Sequence, residues 1–464
     1  MPGAYLLGKN GQTNILAGVS TTMSMQSASL SGSGFTTAAP EKTNIRWFVC
    51  FLLFLATTIN YMDRSVFSLI EPLLHLPFMG WIPGLDHTHQ AAYDINYGRV
   101  LIAFQIAYGV GFLFAGRIID KLGTKTGYAL AILVWGCASI STSLVGSVIG
   151  FCICRALLGL GESGNFPAAI KATTEWFPSE ERALATGLFN SGSNASAFVA
   201  PLLIAAVTAS FGWHAAFVCT GSMGLIWLGI WLLFPYNKLR RGATQTQINL
   251  APVTQGRPIY STLLEHRGFW AFFLGKGLTD PIWWFYLFYL PKFLNDNYGL
   301  DLNHVKYPLI IIYTAASFGS IAGGWLSGFL MKRGYSVNAG RKFAMLVCAI
   351  CVMPIMFVPH MHTLFPDNAW PAIGLFCLAT AAHQGWSANL FSTPTDMFPS
   401  TSVSTVVGLG GAAGAAGGAL FTWLVSHYFS LHPLLIFTLA GCAYVTSLLI
   451  FQLLAPKLGV TQTT

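Results

Sequence analysis

Charge is scarce in this chain. Asp, Glu, Lys and Arg together make up 9% of its 464 residues, while 54% are hydrophobic; soluble globular proteins carry about 25% charge. The deficit excludes one soluble core and implies a polytopic membrane protein. Catalytic signatures are missing too. The sequence holds neither His-Glu-x-x-His nor Gly-x-Ser-x-Gly, so an enzyme, a metal site and a cofactor are not expected. All nine cysteines fall within apolar runs, where they read as small buried hydrophobes rather than a disulfide framework. Residues 1–44 are rich in Ser, Thr and Gly and lack a basic start, an apolar core and a cleavage site. They are expected to form a disordered tail rather than a signal peptide.

Apolar segments of about 20 residues, enough to cross a bilayer, recur along the rest. They fall near 46–70, 98–118, 126–146, 148–170, 183–208 and 214–235, then near 268–293, 306–330, 341–362, 368–392, 402–428 and 431–454. The expected fold is therefore all-α, with twelve transmembrane helices in two six-helix bundles. The boundaries are a cytoplasmic N-terminal tail (1–45), an N-terminal bundle (46–235), a polar connector (236–267), a C-terminal bundle (268–455) and a cytoplasmic tail (456–464).

The net charge is +8, but the basic residues sit in short clusters between apolar runs, which argues against nucleic acid. Most lie on segments of one side, and only Arg99, Lys292 and Lys306 fall on the other. This bias places both termini in the cytoplasm. The two halves repeat. Trp176-Phe-Pro178-Ser resembles Met397-Phe-Pro399-Ser, and Gly187 and Gly408 follow at the same offset. Gly116-Arg-Ile-Ile-Asp120 has a weaker echo in Gly324-Trp-Leu-Ser-Gly328. Repeated halves imply a transporter whose site lies between them at mid-depth.

A charge at bilayer centre costs at least ~2.5–3.5 kcal/mol, so charges there mark sites. The fourth span carries Arg155 and Glu162, two helical turns and ~10 Å apart on one face. The first carries Asp63 and Arg64. Heights along the two spans set Asp63 against Arg155 and turn Arg64 toward the cavity, giving the positive surplus that an anionic substrate needs. Glu162 has no evident partner. A carboxylate at lipid depth must be neutralised, which makes Glu162 a candidate proton carrier. Gly159-x-Gly161-x-x-Gly164 matches the dinucleotide fingerprint, but no strand precedes it; its glycines are expected to allow close helix packing. The C-terminal half offers polar and aromatic groups rather than charges: Trp284 and Tyr286 in the seventh span, Gln384, Trp386 and Asn389 in the tenth. Pro281 and Pro291 are expected to break the seventh helix. By the repeat offset His383 matches Glu162 and Trp386 matches Asn165, so both spans should face one cavity. Gly116, Arg117, Asp120 and Lys121 join spans two and three, where they are expected to gate.

That gating loop has the signature of the major facilitator superfamily, which the chain resembles over roughly residues 46–455. Asn60-Tyr-Met-Asp63-Arg64-Ser and Arg155 with Glu162 resemble the anion:cation symporter family within it. Gly161-Glu-Ser-Gly-Asn165-Phe-Pro, Trp283-Trp-Phe-Tyr-Leu-Phe-Tyr-Leu-Pro-Lys292 and His383-Gln-Gly-Trp-Ser-Ala-Asn389 resemble its hexuronate branch. The resemblance implies a monomeric inner-membrane symporter taking up a sugar acid such as galacturonate or glucuronate with protons. It implies protonation at Asp63 and Glu162, a carboxylate contact at Arg64 and coupling through Arg155. Tyr108 and Tyr286 stand at substrate tyrosine positions, and Ser193 stands where sugar-acid members carry glutamine, for which Asn194 or Asn190 can substitute. An aldonate, an aldarate or an aromatic carboxylate is an alternative substrate. A drug/proton antiporter or a non-transporting sensor is a more distant reading.

Overall fold

The computed structural model describes residues 43–70, 87–241, 259–300, 302–428 and 432–458. Most of the expected N-terminal tail, most of the loop after the first span, much of the connector and the last six residues lie outside that set. Among the described residues the ordered elements are helices: α1 (Thr43–Leu69), α2 (His87–Leu122), α3 (Thr124–Thr142), α4 (Val148–Glu162), α5 (Asn165–Trp176), α6 (Ser179–Phe211) and α7 (Trp213–Leu233). Two short connector helices follow, α8 (Tyr236–Arg241) and α9 (Ile259–Glu265). The second half holds α10 (Arg267–Tyr298), α11 (Leu302–Lys332), α12 (Val337–Val352), α13 (Val358–Leu364), α14 (Trp370–Met397), α15 (Val403–Tyr428) and α16 (Pro433–Leu454). A 3₁₀ turn, Met353–Phe357, links α12 to α13.

Eight helical stretches are long and apolar enough to cross a membrane on composition alone. The passes that fall outside this set are α3, the divided α4–α5 pass, α10 and α14. The last three carry buried charges or amides: Arg155 and Glu162, Lys276, Gln384 and Asn389.

The fourth pass is not one helix. It stops at Glu162, turns through Ser163 and Gly164, and restarts at Asn165. Pro167 cannot donate a backbone hydrogen bond in the new first turn. The glycines around the break let neighbours approach. A Cβ on Gly159 would lie 2.6 Å from the Phe104 carbonyl of α2, and one on Gly161 would lie 2.6 Å from the Trp135 nitrogen of α3. The expected break in the seventh pass is absent: α10 runs unbroken through Pro281 and Pro291. Pro281 deprives the Gly277 carbonyl of its helical donor. That carbonyl lies against Gly417 of α15, so closely that a Cβ there would overlap it. The bare α-carbon of the glycine therefore covers the freed oxygen, and its C–H groups point at a carbonyl in place of the missing donor.

Helices α1–α7 pack on one another, as do α10–α16, and the halves meet mainly along α2–α15 and α6–α11. These seams are built twice on one plan. Gly116 of α2 abuts the Ser404 carbonyl, as Gly324 of α11 abuts that of Ala183; Gly408 of α15 abuts the Phe112 carbonyl, as Gly187 of α6 abuts that of Ser320. Basic residues follow the same plan. Lys125 donates to the Leu232 and Phe234 carbonyls at the end of α7, and Lys342 to those of Ala455 and Pro456 at the end of α16. A cation at a helix C-terminus is favourable.

Cys348 and Cys351 have Cys-x-x-Cys spacing, but they lie one turn apart in the apolar α12, and both are free thiols. Among the described residues no cluster of His, Cys, Asp and Glu suits a metal.

Candidate functional site

Arg64 lies where the last third of α1 passes the end of α4. Its Nε and Nη2 both donate to Oε2 of Glu162, at 3.1 and 2.9 Å. The pair is buried: Glu162 is 1% exposed, while the Arg64 side chain keeps 16%. The guanidinium lies over the rings of Tyr108 (4.5 Å), Tyr61 (4.8 Å) and Phe104 (5.2 Å). Aromatic faces stabilise a desolvated cation, so Arg64 can stay charged although most of its side chain is out of bulk water. Oε1 of Glu162 accepts no hydrogen bond.

The sequence left Glu162 without a partner and set Asp63 against Arg155. The structure corrects the first. Arg64 takes Glu162, because the residue after Asp63 projects about 100° round α1 and its long side chain spans the gap to α4. Asp63, fully buried, accepts a 2.7 Å hydrogen bond from Ser139 of α3 through Oδ1. Arg155 acts on Asp63 electrostatically, without a salt bridge between them among the described ion pairs. The Arg155 guanidinium lies over Phe67 and Phe104, at 5.1 and 5.0 Å, and donates to the Arg64 carbonyl at 3.3 Å. It thus braces the backbone that carries Arg64.

The other candidates fall into two sets. Gln384 of α14 accepts a 2.6 Å hydrogen bond from Asn190 of α6, joining the halves at mid-depth. Asn194 lies one turn further along α6, buried, with its amide nitrogen unsatisfied. Trp284 abuts Gly418 of α15. Tyr286 is buried against Phe376, its hydroxyl making no hydrogen bond. In contrast Asn165, Asn389 and Trp386 are engaged within their own halves. Asn165 accepts from Tyr128 and donates to Thr57. Asn389 donates to the Gly323 and Gly385 carbonyls. Trp386 packs on Tyr444 of α16, to which His383 also hydrogen-bonds. The repeat offset placed His383 and Trp386 on the cavity face; they turn toward α16 instead, where Tyr444 offers a ring and a hydroxyl.

Sequence reasoning also missed a pair. Lys276 and Asp280 of α10 form a salt bridge of 2.6 Å, so the C-terminal half does bring charge to mid-depth. A lysine and an aspartate one turn apart inside an apolar span were the available signal.

At the gating loop, Asp120 accepts from the Thr405 nitrogen (2.7 Å), the Thr405 hydroxyl (2.6 Å) and the Ser404 nitrogen (3.3 Å), capping α15 from across the seam. Lys171 holds the same carboxylate at 2.9 Å. Gly116 lies one turn before it. Arg117 is half-buried and Lys121 exposed. On the other seam, Asp396 of α14 joins Arg341 (3.0 Å) to Arg182 of α6 (3.5 Å), and Arg341 also donates to the Ser179 carbonyl. A Cβ on Gly116 would overlap the Ser404 oxygen. Gly116→Val should therefore keep this seam from closing. We expect uptake to fall at least tenfold while the purified protein still elutes as one sharp species.

The Major Facilitator Superfamily signature matches residues 53–422. The chain belongs to that superfamily. It is 30% identical over 394 residues to a hexuronate transporter of Escherichia coli K12, covering 82% of this chain and 87% of that protein. It is 27% identical over 350 residues to a galacturonate transporter of Dickeya chrysanthemi, covering 73% and 96%. The solved structure of the proton:xylose symporter XylE bound to 6-bromo-6-deoxy-D-glucose superposes with a TM-score of 0.68 at 14% identity, covering 88% of this chain and 95% of that one. The protein is thus an integral, multi-pass membrane transporter with the superfamily's fold of two pseudo-symmetric helical bundles, and not an enzyme.

Proposed function

We propose that the protein is a proton-coupled symporter that imports a sugar acid of the hexuronate class across the inner membrane by alternating access. One observation carries the reading: a largely buried guanidinium held by a single carboxylate oxygen, ringed by aromatic faces and still partly exposed. Arg64 prefers a bidentate carboxylate partner. While Glu162 is ionised, it occupies that guanidinium. When Glu162 takes a proton, Arg64 is released to a substrate carboxylate, so the proton and the anion enter together. Asp63 is the second protonation position, and Arg155 couples it to Arg64 through the α1 backbone. Tyr108, Trp284, Asn194 and Gln384 supply rings and amides for the remainder of the sugar acid. The names of the two relatives agree with this substrate class.

With both chain ends in the cytoplasm, the Asp120 and Asp396 networks lie on the cytoplasmic side, where they would seal the carrier. Lipid and small ions are then the partners required, and the working unit is a monomer.

The test is uptake by purified protein in proteoliposomes given an imposed pH step and a panel of labelled galacturonate, glucuronate, galactonate, galactarate and an aromatic acid. An acid exterior should drive accumulation of a hexuronate above its equilibrium level. Uptake indifferent to the pH step would remove the proton from the scheme, and selective accumulation of the aromatic acid would replace the substrate class.

A further inference from the structure

We propose that Asp280, held by Lys276, is the hydroxyl-reading group of the C-terminal half, and that it makes the carrier select polyhydroxylated monocarboxylates over dicarboxylates. The proposal rests on the reading above, in which Arg64 takes the carboxylate end of the substrate.

Lys276 and Asp280 are neighbours on one face of α10, with Nζ 2.7 Å from Oδ1 and 2.6 Å from Oδ2. The two differ in exposure. The Lys276 side chain is 4% exposed and that of Asp280 is 23% exposed. The ammonium is also fixed from behind. It lies 3.8 Å over the Phe391 ring, and that ring stacks on Phe166 of the opposite half at 5.2 Å. The lysine is therefore the anchor and the carboxylate the presented group. A carboxylate has about four acceptor sites and no donor, and one ammonium does not fill them. What fits the remainder is a group that donates, such as adjacent hydroxyls.

Asp280 also faces the right space. It acts electrostatically on Tyr61 and Tyr108, the rings that flank Arg64 in the other half. The α15 wall beside it is stripped of side chains: a Cβ on Gly414 would overlap Oδ2. Arg64–Glu162 and Lys276–Asp280 thus come within electrostatic reach of each other from opposite halves, and the proposed substrate chamber lies between them. Charge counting sets the specificity. Once Glu162 is protonated, the first pair has a net charge of +1 and the second of zero, while Asp63, still ionised, balances Arg155. One substrate carboxylate balances the chamber. A second, at the far end of an aldarate, would stand beside Asp280 with nothing to neutralise it, and an aromatic acid would leave the open acceptors without donors.

Counterflow exchange of labelled galacturonate in proteoliposomes, competed by unlabelled glucuronate, galactonate and galactarate, tests this. The unsubstituted protein should be inhibited by the monocarboxylates at concentrations at least tenfold below galactarate. In Asp280→Asn, the concentration of glucuronate needed should rise at least tenfold and that of galactarate should not, so that the preference collapses. Lys276→Gln with Asp280→Asn removes both buried charges; it carries the same expectation if the single variant does not fold. Equal competition by galactarate in the unsubstituted protein overturns the proposal, as does an intact preference in the variants. If none of the sugar acids competes in the unsubstituted protein, the substrate class itself is overturned, which is a different result from an unchanged variant.

Discussion

Replacing Glu162 with glutamine should leave a carrier that exchanges substrate across the membrane but cannot accumulate it. The amide is close in size to the carboxyl group and permanently neutral, so it imitates the protonated state. Arg64 loses its charged partner, which is Oε2 at 2.9 Å, and stays available to a substrate carboxylate at every pH. Loaded carriers can then close and reopen on either side, which is all that exchange requires. Net uptake also needs the empty carrier to return after losing a proton to the cytoplasm, and the variant has no proton to lose at this position. Preloaded vesicles should show counterflow within a fewfold of the parent, whereas an imposed pH step should produce no accumulation above equilibrium. Accumulation that persists would move coupling to Asp63, whose second oxygen accepts no hydrogen bond and is equally buried. Loss of exchange as well would make Glu162 a strut for Arg64 rather than a switch.

The helical passes were legible because a bilayer imposes one length and one composition on each of them. The repeat was legible because the two seams use the same glycines: Gly116 with Gly324, and Gly187 with Gly408, perform matched close approaches. Arg64 and Glu162 stood out as candidates because charges at depth are rare. Their pairing was not legible. Axial heights alone put Asp63 opposite Arg155, but height says nothing of side-chain reach, and the turn at Ser163–Gly164 ends α4 just as Glu162 comes within reach of α1. Lys276 and Asp280 were passed over because the aromatic run that follows them dominates the segment. The helix break assigned to Pro281 failed because whether a proline breaks a helix depends on what covers the freed carbonyl, and Gly417 on another helix covers it. Such facts depend on tertiary neighbours, which no local pattern encodes.

Arg64→Ala should abolish high-affinity binding. A charged hydrogen bond removed from a buried site costs ~2–5 kcal/mol, so galacturonate affinity should fall at least ~30-fold by calorimetry on the purified protein. A second cost falls on the carrier itself, since Glu162 at 1% exposure loses the cation that neutralises it. Breaking a buried pair this way destabilises by ~3–5 kcal/mol unless the carboxylate takes a proton. The alanine variant should therefore melt at a lower temperature at neutral pH and recover part of the loss as the pH is lowered. Arg64→Lys separates the two effects. An ammonium restores the charge beside Glu162 but is a point donor without the planar fork. Its stability should return toward that of the parent while affinity stays reduced at least tenfold. Affinity within threefold of the parent in the alanine variant would dismiss Arg64 as the carboxylate contact. Arg155, which donates to the Arg64 carbonyl, would then be the remaining guanidinium at that depth of the N-terminal half.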